Sequence, residues 1–159
     1  MQHTVKTLYT ILRAKGLMFA AAESCTGGMI AAAITDIPGS SDVFDRGFVT
    51  YSNAAKQDLL GVTTATLDEN GAVSKECAGE MAKGALKNSA ANIAVSVTGI
   101  AGPDGGVEEK PVGLVYIATC VSGAEPIITQ YNFAGDRTQV RALTCRKAYD
   151  LLIQAASTI

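Results

Sequence analysis

Hydrophobic and polar positions along the chain follow two different periods, and these predict helices and strands. Apolar residues recur every three or four positions in several segments, which predicts helices over residues 5–15, 29–35, 53–60, 74–86 and 136–155. Short apolar or β-branched runs lie between and after them and predict strands over residues 17–22, 46–52, 92–98, 111–121 and 126–133. Residues 63–71 show neither period, and we expect them to be irregular.

Capping residues stand where the helical periods begin. Asn53, Ser74 and Asp136 each precede such a period and are good N-cap residues. The turn at residues 122–125 joins the last two strands, which we therefore expect to be antiparallel. Helices and strands that alternate, followed by a strand pair and a helix, predict an α/β fold: a three-layer α/β/α sandwich with a mixed, mostly parallel sheet.

Length and composition are typical of a compact protein. A chain of 159 residues that is 48% hydrophobic and 18% charged suits one domain over residues 1–159 with a well-buried core. The net charge is −2 and no basic run exists, so we expect neither nucleic acid nor a membrane surface as a partner. No apolar run approaches transmembrane length, and no signal-peptide core follows the first residues.

Histidine and cysteine usage restricts the chemistry. His3 is the one histidine and lies in a terminus that we expect to fray, so a hydrolase of this sequence would need a lysine or carboxylate base. The four cysteines are widely spaced without a C-x-x-C pair. This spacing argues against a zinc site and favours reduced thiols in a cytoplasmic protein.

Three predicted loops follow strands and should converge where open α/β sheets bind their ligands. They are residues 23–28, 51–56 and 98–110, and they are rich in hydroxyls and glycines. The first joins an apolar run to a helix through Ser, Thr and a glycine pair, so its backbone N–H groups could hold an anion. A capped turn without any ligand explains the same residues.

Lys56 is the most suggestive side chain. With Asn53 as the N-cap, Lys56 takes the third helical position, where the helix dipole disfavours a cation. Partial burial in a cleft would lower the pKa of this lysine and make it a base at neutral pH. A solvated lysine that carries a small dipole penalty is an equally good interpretation.

A lysine base requires a nucleophile nearby. The hydroxyl candidates are Ser24, Ser40, Ser41, Ser52 and Thr98. Tyr51 could relay a proton, although packing at a strand end explains it as well. Cys25 is the runner-up nucleophile, because a thiolate is stabilised at a helix start but no histidine is available as its base. Arg137, at the start of the last helix, is the obvious partner for a phosphate if that end of the sheet is the site.

Six ordered motifs carry a family resemblance over nearly the whole chain. They are AESCTGG (22–28), GSS (39–41), RGFVTYSNxxK (46–56), GAVS (71–74), TGIAGPDGG (98–106) and KPVG (110–113). Together they resemble the C-terminal domain of the competence/damage-inducible protein family. Stand-alone members of that family are nicotinamide-nucleotide amidases, and the chain resembles this form because no N-terminal nucleotide-pyrophosphatase-like domain is present.

The resemblance implies hydrolysis of nicotinamide mononucleotide to nicotinic acid mononucleotide and ammonia, without metal or cofactor. It also implies a serine nucleophile, a lysine base and an assisting tyrosine, which by motif are Ser41, Lys56 and Tyr51. Ser24 remains the alternative nucleophile. The pocket for the amide, ribose and phosphate would be shaped by Glu23, Ser24, Thr26, Gly27, Gly28, Thr98, Gly99 and Arg137.

Two alternatives stay open from the sequence. The same motifs would serve a non-catalytic nucleotide-binding or nucleotide-sensing domain, which has no need of Lys56 at the start of a helix. The alanine-rich helices could form a homo-oligomer interface, but burial within one chain explains them equally well.

Overall fold

The computed structural model describes residues 1–159 and contains a five-stranded sheet with helices on both faces. The helices are α1 (Gln2–Lys15), α2 (Met29–Thr35), α3 (Asn53–Leu60), α4 (Thr64–Asn70), α5 (Lys75–Lys87) and α6 (Arg137–Ser157). The strands are β1 (Phe19–Glu23), β2 (Phe44–Val49), β3 (Ile93–Gly99), β4 (Leu114–Val121) and β5 (Ile127–Asn132). None of the helices has both the length and the hydropathy needed to span a bilayer.

The sheet has the strand order β2-β1-β3-β4-β5, and β4 is the one strand that runs against the others. β1 is parallel to both of its neighbours, with Glu23 aligned to Val49 of β2 and to Val97 of β3. The carboxyl ends of β1, β2 and β3 therefore lie side by side. The prediction of an α/β sandwich with a mixed, mostly parallel sheet is confirmed, as is the antiparallel pairing of the last two strands.

β1 is the central strand of the core because it is buried on both faces. Phe19 and Ala21 pack with the residues of α1, α2 and α6. Ala20 and Ala22 face the opposite layer, where they pack with the residues of α3 and α5. Alternate side chains of a strand point to opposite faces, so alanine lets both helical layers approach the sheet closely. This alternation determines which of the two helical layers a residue at the end of the strand faces.

The expectation of irregular structure at residues 63–71 was wrong, because α4 occupies most of them. Thr63 is the N-cap, and its hydroxyl accepts the backbone N–H of Thr66 at 3.1 Å. The carboxylate of Glu80, on α5, accepts the hydroxyl of Thr66 at 2.7 Å and the backbone N–H of Thr63 at 2.8 Å. A short helix with little apolar periodicity thus forms through its cap and through one carboxylate from a neighbouring helix.

Candidate active site

Ser24 is the first residue after β1 and lies at the carboxyl end of the sheet. Its backbone N–H still donates to the carbonyl of Val97, at 3.1 Å, which extends the parallel pairing of β1 with β3 by one residue. The alternation of β1 places Ser24 on the same face as Ala20 and Ala22, toward α3. There the Ser24 hydroxyl oxygen accepts a hydrogen bond from the Lys56 amine at 3.1 Å.

Lys56 is almost fully buried, with 1% of its surface exposed. Its Nζ also donates to the carbonyl oxygen of Thr50 at 2.8 Å, so two acceptors fix the position of the amine. Burial lowers the pKa of Lys56 from its ordinary value of 10.5, because the charged form loses its hydration. No carboxylate forms a salt bridge with this amine. Burial therefore shifts the equilibrium of the amine toward its neutral form, which is a base.

The N-cap of α3 is Ser52, whereas the sequence had suggested Asn53. The Ser52 hydroxyl accepts the backbone N–H of Ala55 at 3.1 Å, and its extended backbone suits a cap. Lys56 is consequently the fourth helical residue, and its own N–H bonds to the Ser52 carbonyl at 3.2 Å. The lowered pKa of Lys56 is caused first by burial, so the helix-dipole explanation is not required.

The structure does not bring Ser41 to Lys56. Ser41 is exposed in a single helical turn that comes before β2, whereas Lys56 comes after that strand. The six residues of β2 span about 20 Å at ~3.3 Å per residue, so the two side chains lie near opposite ends of the sheet. This separation argues against Ser41 as the partner of Lys56, and against Ser40 for the same reason.

Glu23 is fully buried and caps α2 from within the protein. Its carboxylate accepts the hydroxyl of Thr26 at 2.6 Å. It also accepts three backbone N–H groups, at 2.9 to 3.1 Å, from Gly28, Ile30 and Ala31. The donors at the start of α2, which could have held a ligand anion, are thus satisfied by the chain itself. Glu23 and the Thr26 side chain shape the turn from behind and do not face a ligand.

Arg141 holds the same turn from the other side, and sequence reasoning missed it. From α6, its Nε donates to the carbonyl of Cys25 at 3.1 Å and its Nη2 to the carbonyl of Thr26 at 2.9 Å. Gly27 and Gly28 complete the turn with φ angles of 60° and 99°, which favour glycine. The sequence offered one indication of this role. Arg141 lies four residues after Arg137, and residues four apart share a helix face.

Tyr51 and Arg137 form the rim of the site. Arg137 donates through Nη2 to the Tyr51 hydroxyl at 3.1 Å and through Nη1 to the carbonyl of Gly102 at 2.9 Å. These bonds connect the loops that follow β2 and β3 to the start of α6. Tyr51 is 64% exposed and makes no hydrogen bond to Ser24 or Lys56. The three predicted loops thus converge, as expected from their strand ends.

Thr98 and Gly99, at the end of β3, have packing roles. The buried Thr98 hydroxyl donates to the carbonyl of Ala72 at 2.7 Å and so holds the loop before α5 against the sheet. A side chain on Gly99 would come within 2.6 Å of Val115, which explains why this position has none. Gly99 has no side chain, and the buried Thr98 hydroxyl already donates its proton, so neither residue offers a side-chain donor to a ligand.

Cys25 is poorly suited to act as the nucleophile. The thiol is buried, and burial raises its pKa from 9.0 to about 11. A thiol with such a pKa carries almost no thiolate near neutral pH. No group of three His, Cys, Asp or Glu side chains is arranged to hold a metal ion. Ser24 and Lys56 are therefore the two side chains in this region whose contact suits a nucleophile and a base.

Known proteins resemble this chain in both sequence and fold. The family model described as the CinA C-terminal domain matches residues 1–156. The nicotinamide-nucleotide amidohydrolase PncC of Enterobacter agglomerans is 57% identical over 130 residues, which cover 82% of this chain and 79% of the relative. A putative competence-damage inducible protein of Clostridium perfringens is 52% identical over 87% of this chain, which spans 33% of that longer relative. The crystal structure of a competence/damage inducible protein from Agrobacterium tumefaciens matches with a TM-score of 0.94 and 51% identity, over 96% of this chain and 93% of the other.

Proposed function

Because this chain belongs to the CinA C-terminal domain family, we propose that it is a nicotinamide-nucleotide amidohydrolase. Its reaction converts nicotinamide mononucleotide and water to nicotinic acid mononucleotide and ammonia. The observation that carries the proposal is the 3.1 Å contact of the Lys56 amine with the Ser24 hydroxyl, in surroundings that lower the pKa of the lysine. A neutral amine beside a hydroxyl can activate a serine without a histidine.

In the first half of the reaction, Ser24 forms an ester with the substrate. Neutral Lys56 accepts the hydroxyl proton while the Ser24 oxygen bonds to the carboxamide carbon. The tetrahedral intermediate then breaks its C–N bond, and the Lys56 ammonium returns the proton to the leaving nitrogen, which departs as ammonia. The carbonyl of Thr50 keeps the Lys56 amine in place through both transfers.

Water completes the reaction by hydrolysing that ester. Lys56 takes a proton from the water while the water oxygen bonds to the ester carbon. The C–O bond to Ser24 then breaks, and Lys56 passes the proton back to the serine oxygen. Nicotinic acid mononucleotide leaves and loses its acid proton to solvent. No step requires a metal or a cofactor.

Arg137 and Tyr51 are assigned to the nucleotide portion of the substrate. Arg137 is exposed, and its two hydrogen bonds, through Nη1 and Nη2, leave Nε available. A guanidinium at the rim suits a phosphate because its charge and planar donors match phosphate oxygens. Tyr51 contacts neither Ser24 nor Lys56, so we assign its contribution to contact with the bound substrate.

Ammonia release tests the reaction and the nucleophile together. We expect the wild type to release ammonia from nicotinamide mononucleotide in excess chelator. Ser24→Ala should lower kcat by about 10⁴-fold or more, because it removes the atom that forms the ester. Ser41→Ala is the matched control and should retain wild-type kcat, since this exposed serine lies near the opposite end of the sheet.

The other outcomes identify the competing functions. Thermal stabilisation by the nucleotide without any ammonia would indicate a binding or sensing domain. Activity that survives Ser24→Ala but is abolished by thiol alkylation would transfer the nucleophile role to Cys25. A loss of activity in Ser41→Ala, with an unchanged melting temperature, would contradict the assignment of Ser24.

Two further properties are proposed. The four cysteines are free and buried, which supports a reducing compartment such as the cytoplasm.

Ile127, on the edge strand β5, is 71% exposed, which supports a homo-oligomer that covers this strand. Light scattering of the purified chain measures the oligomeric state directly.

A further inference from the structure

Two backbone N–H groups next to Ser24, those of Cys25 and Thr26, donate to no other residue. Their neighbours in the turn are all satisfied: Ser24 donates to Val97, Gly27 donates to the Ser24 carbonyl, and Gly28 donates to Glu23. Cys25 and Thr26 are both buried. Unpaired N–H groups are rare in buried segments because losing water without a replacement partner costs free energy. Two in succession immediately after a candidate nucleophile therefore require an explanation.

The orientation of both N–H groups is fixed by the carbonyls of their own peptide units. In a planar trans peptide the N–H points away from the C=O. The Cys25 carbonyl is held by Arg141 Nε at 3.1 Å, which fixes the N–H of Thr26 on the opposite side of that peptide. The Ser24 carbonyl is held by the Gly27 N–H at 3.1 Å, which fixes the N–H of Cys25 in the same way.

Arg141 also strengthens one of these donors. A guanidinium that donates to a carbonyl polarises the whole peptide unit, because hydrogen bonds in a chain reinforce one another. The unit polarised here is the one between Cys25 and Thr26, so the N–H of Thr26 becomes a better donor. Arg141 makes a second bond, to the Thr26 carbonyl at 2.9 Å, which keeps its guanidinium from swinging away.

We propose that the N–H groups of Cys25 and Thr26 form the oxyanion hole of the amidase, and that Arg141 is the residue that positions it. This inference rests on the proposed function. When the Ser24 oxygen bonds to the carboxamide carbon, the carbonyl oxygen becomes an anion that needs donors set in advance. An N–H of the residue after a nucleophilic serine is well placed to be such a donor.

The other donors at this turn, and those of Lys56 and Arg141, are already used. The N–H groups at the start of α2 bond to Glu23. The Lys56 amine contacts Ser24 and the Thr50 carbonyl, and its role is proton transfer. The bonds of Arg141 go to carbonyls on the far side of the turn, so it acts through the peptide and not on the substrate. Within this turn, the two unpaired N–H groups remain as the donors for the oxyanion.

Arg141→Gln and Arg141→Lys test the positioning role, with Arg146→Gln as the matched control. Arg146 lies on the same helix, is exposed and makes no hydrogen bond or salt bridge. We expect Arg141→Gln to lower kcat for nicotinamide mononucleotide by about 10- to 100-fold. Without the guanidinium, the two N–H groups would no longer point at the oxyanion and would stabilise it less. KM should stay within about twofold, because the donors act mainly on the transition state. Arg141→Lys should recover part of kcat.

Inhibition by pyridine-3-boronic acid separates this role from a structural one. A boronic acid bonds to the serine oxygen and becomes a tetrahedral anion that needs the same donors. Its affinity should fall in Arg141→Gln by about the same factor as kcat. The affinity for nicotinic acid mononucleotide, which is planar at the carboxylate, should not change. Arg146→Gln should leave both affinities and kcat at wild-type values.

Two outcomes would overturn the proposal. Equal weakening of the boronate and of nicotinic acid mononucleotide would mean that Arg141 only supports the fold. The same holds for a raised KM at unchanged kcat. If Arg141→Gln does not fold, the comparison of Arg141→Lys with the wild type decides. If the wild type releases no ammonia, the proposed function fails, but the boronate comparison still tests the donors because it needs no turnover.

Discussion

Consecutive residues at the end of β1 have different tasks because they face different layers. Glu23 points toward α2 and accepts four hydrogen bonds, while Ser24 points toward α3 and meets Lys56. The carboxylate is thereby kept away from the amine by the sheet itself. This separation leaves Lys56 without an acidic partner, and burial then sets the direction of its pKa shift.

The lowered pKa of Lys56 predicts how activity depends on pH. The neutral amine is the reactive form, so kcat/KM should rise as pH increases through the lowered pKa and then reach a plateau. On the plateau, Lys56→Met should lower kcat by about 10²- to 10⁴-fold, because general-base catalysis is lost. A pH profile of ammonia release measures both effects. An alkaline limb that persists unchanged in Lys56→Met would assign the base elsewhere.

The same shift predicts a pH dependence of stability. The unfolded chain keeps the Lys56 proton up to the ordinary pKa of 10.5, whereas the folded protein loses it at a lower pH. Between these two values the unfolded state binds more protons, so the free energy of unfolding should increase with pH in that window. Urea titrations of the wild type and Lys56→Met measure this slope. The slope difference should vanish below the lowered pKa, where both states are protonated.

At the scale of elements, the position of Lys56 depends on the contact of α3 with α5. A side chain on Gly84 of α5 would come within 1.9 Å of the Leu60 carbonyl at the end of α3. No flexible side chain is available there to move aside, since the obstacle is backbone. Gly84 therefore lets α3 lie close to α5 and keeps Lys56 beside the sheet.

Gly84→Ala should lower both stability and activity for this reason. We expect a loss of about 1 to 3 kcal/mol in the free energy of unfolding, because α3 must shift to relieve the overlap. Ammonia release should also fall, since the shift carries Lys56 away from Ser24. Gly79→Ala, on the same helix, is the control: its Cβ meets nothing closer than 3.5 Å. It should be neutral or stabilising by up to about 1 kcal/mol, as alanine favours a helix.

The second element-scale prediction concerns the cap of α2. Glu23→Gln keeps the size of the side chain but replaces one acceptor oxygen by an amide group that cannot accept. At least one buried donor then loses its partner, which should cost about 1 to 3 kcal/mol. Urea denaturation measures the loss. Thr26→Val, which removes only one of the donors to Glu23, should cost less; a larger loss than for Glu23→Gln would contradict the role of the carboxylate.

At the scale of the whole molecule, the sequence predicted most of the fold. The spacing of apolar residues indicates which side of each helix or strand is buried. The alternating elements, the three layers and the convergence of the loops all follow from those periods. The exception, α4, depends on the Thr63 cap and on Glu80, which comes from another helix. Interactions between elements that are distant in sequence leave no local period, so they escape this kind of reasoning.

The site was predictable to a lesser degree. Lys56 could be recognised from its place after a strand, whereas β2 lies between Ser41 and Lys56 along the chain and separates the two. The order of residues and strands already contained this information, and so did the alternation of β1 that directs Ser24 toward α3. Arg141 could not be found in that way, since its contact with residues 25 and 26 depends on how α6 crosses the sheet.

The alternation of β1 also makes the site sensitive to a change of register. Deleting or inserting one residue within the strand would exchange the two faces of everything that follows it. Glu23 would then be directed at Lys56, and an adjacent carboxylate would raise the pKa of the amine and hold it in the charged form. A serine would meanwhile replace the carboxylate at the start of α2. The insertion or deletion of a single residue is harmless in many surface loops. Here it would convert the base into one partner of a salt bridge.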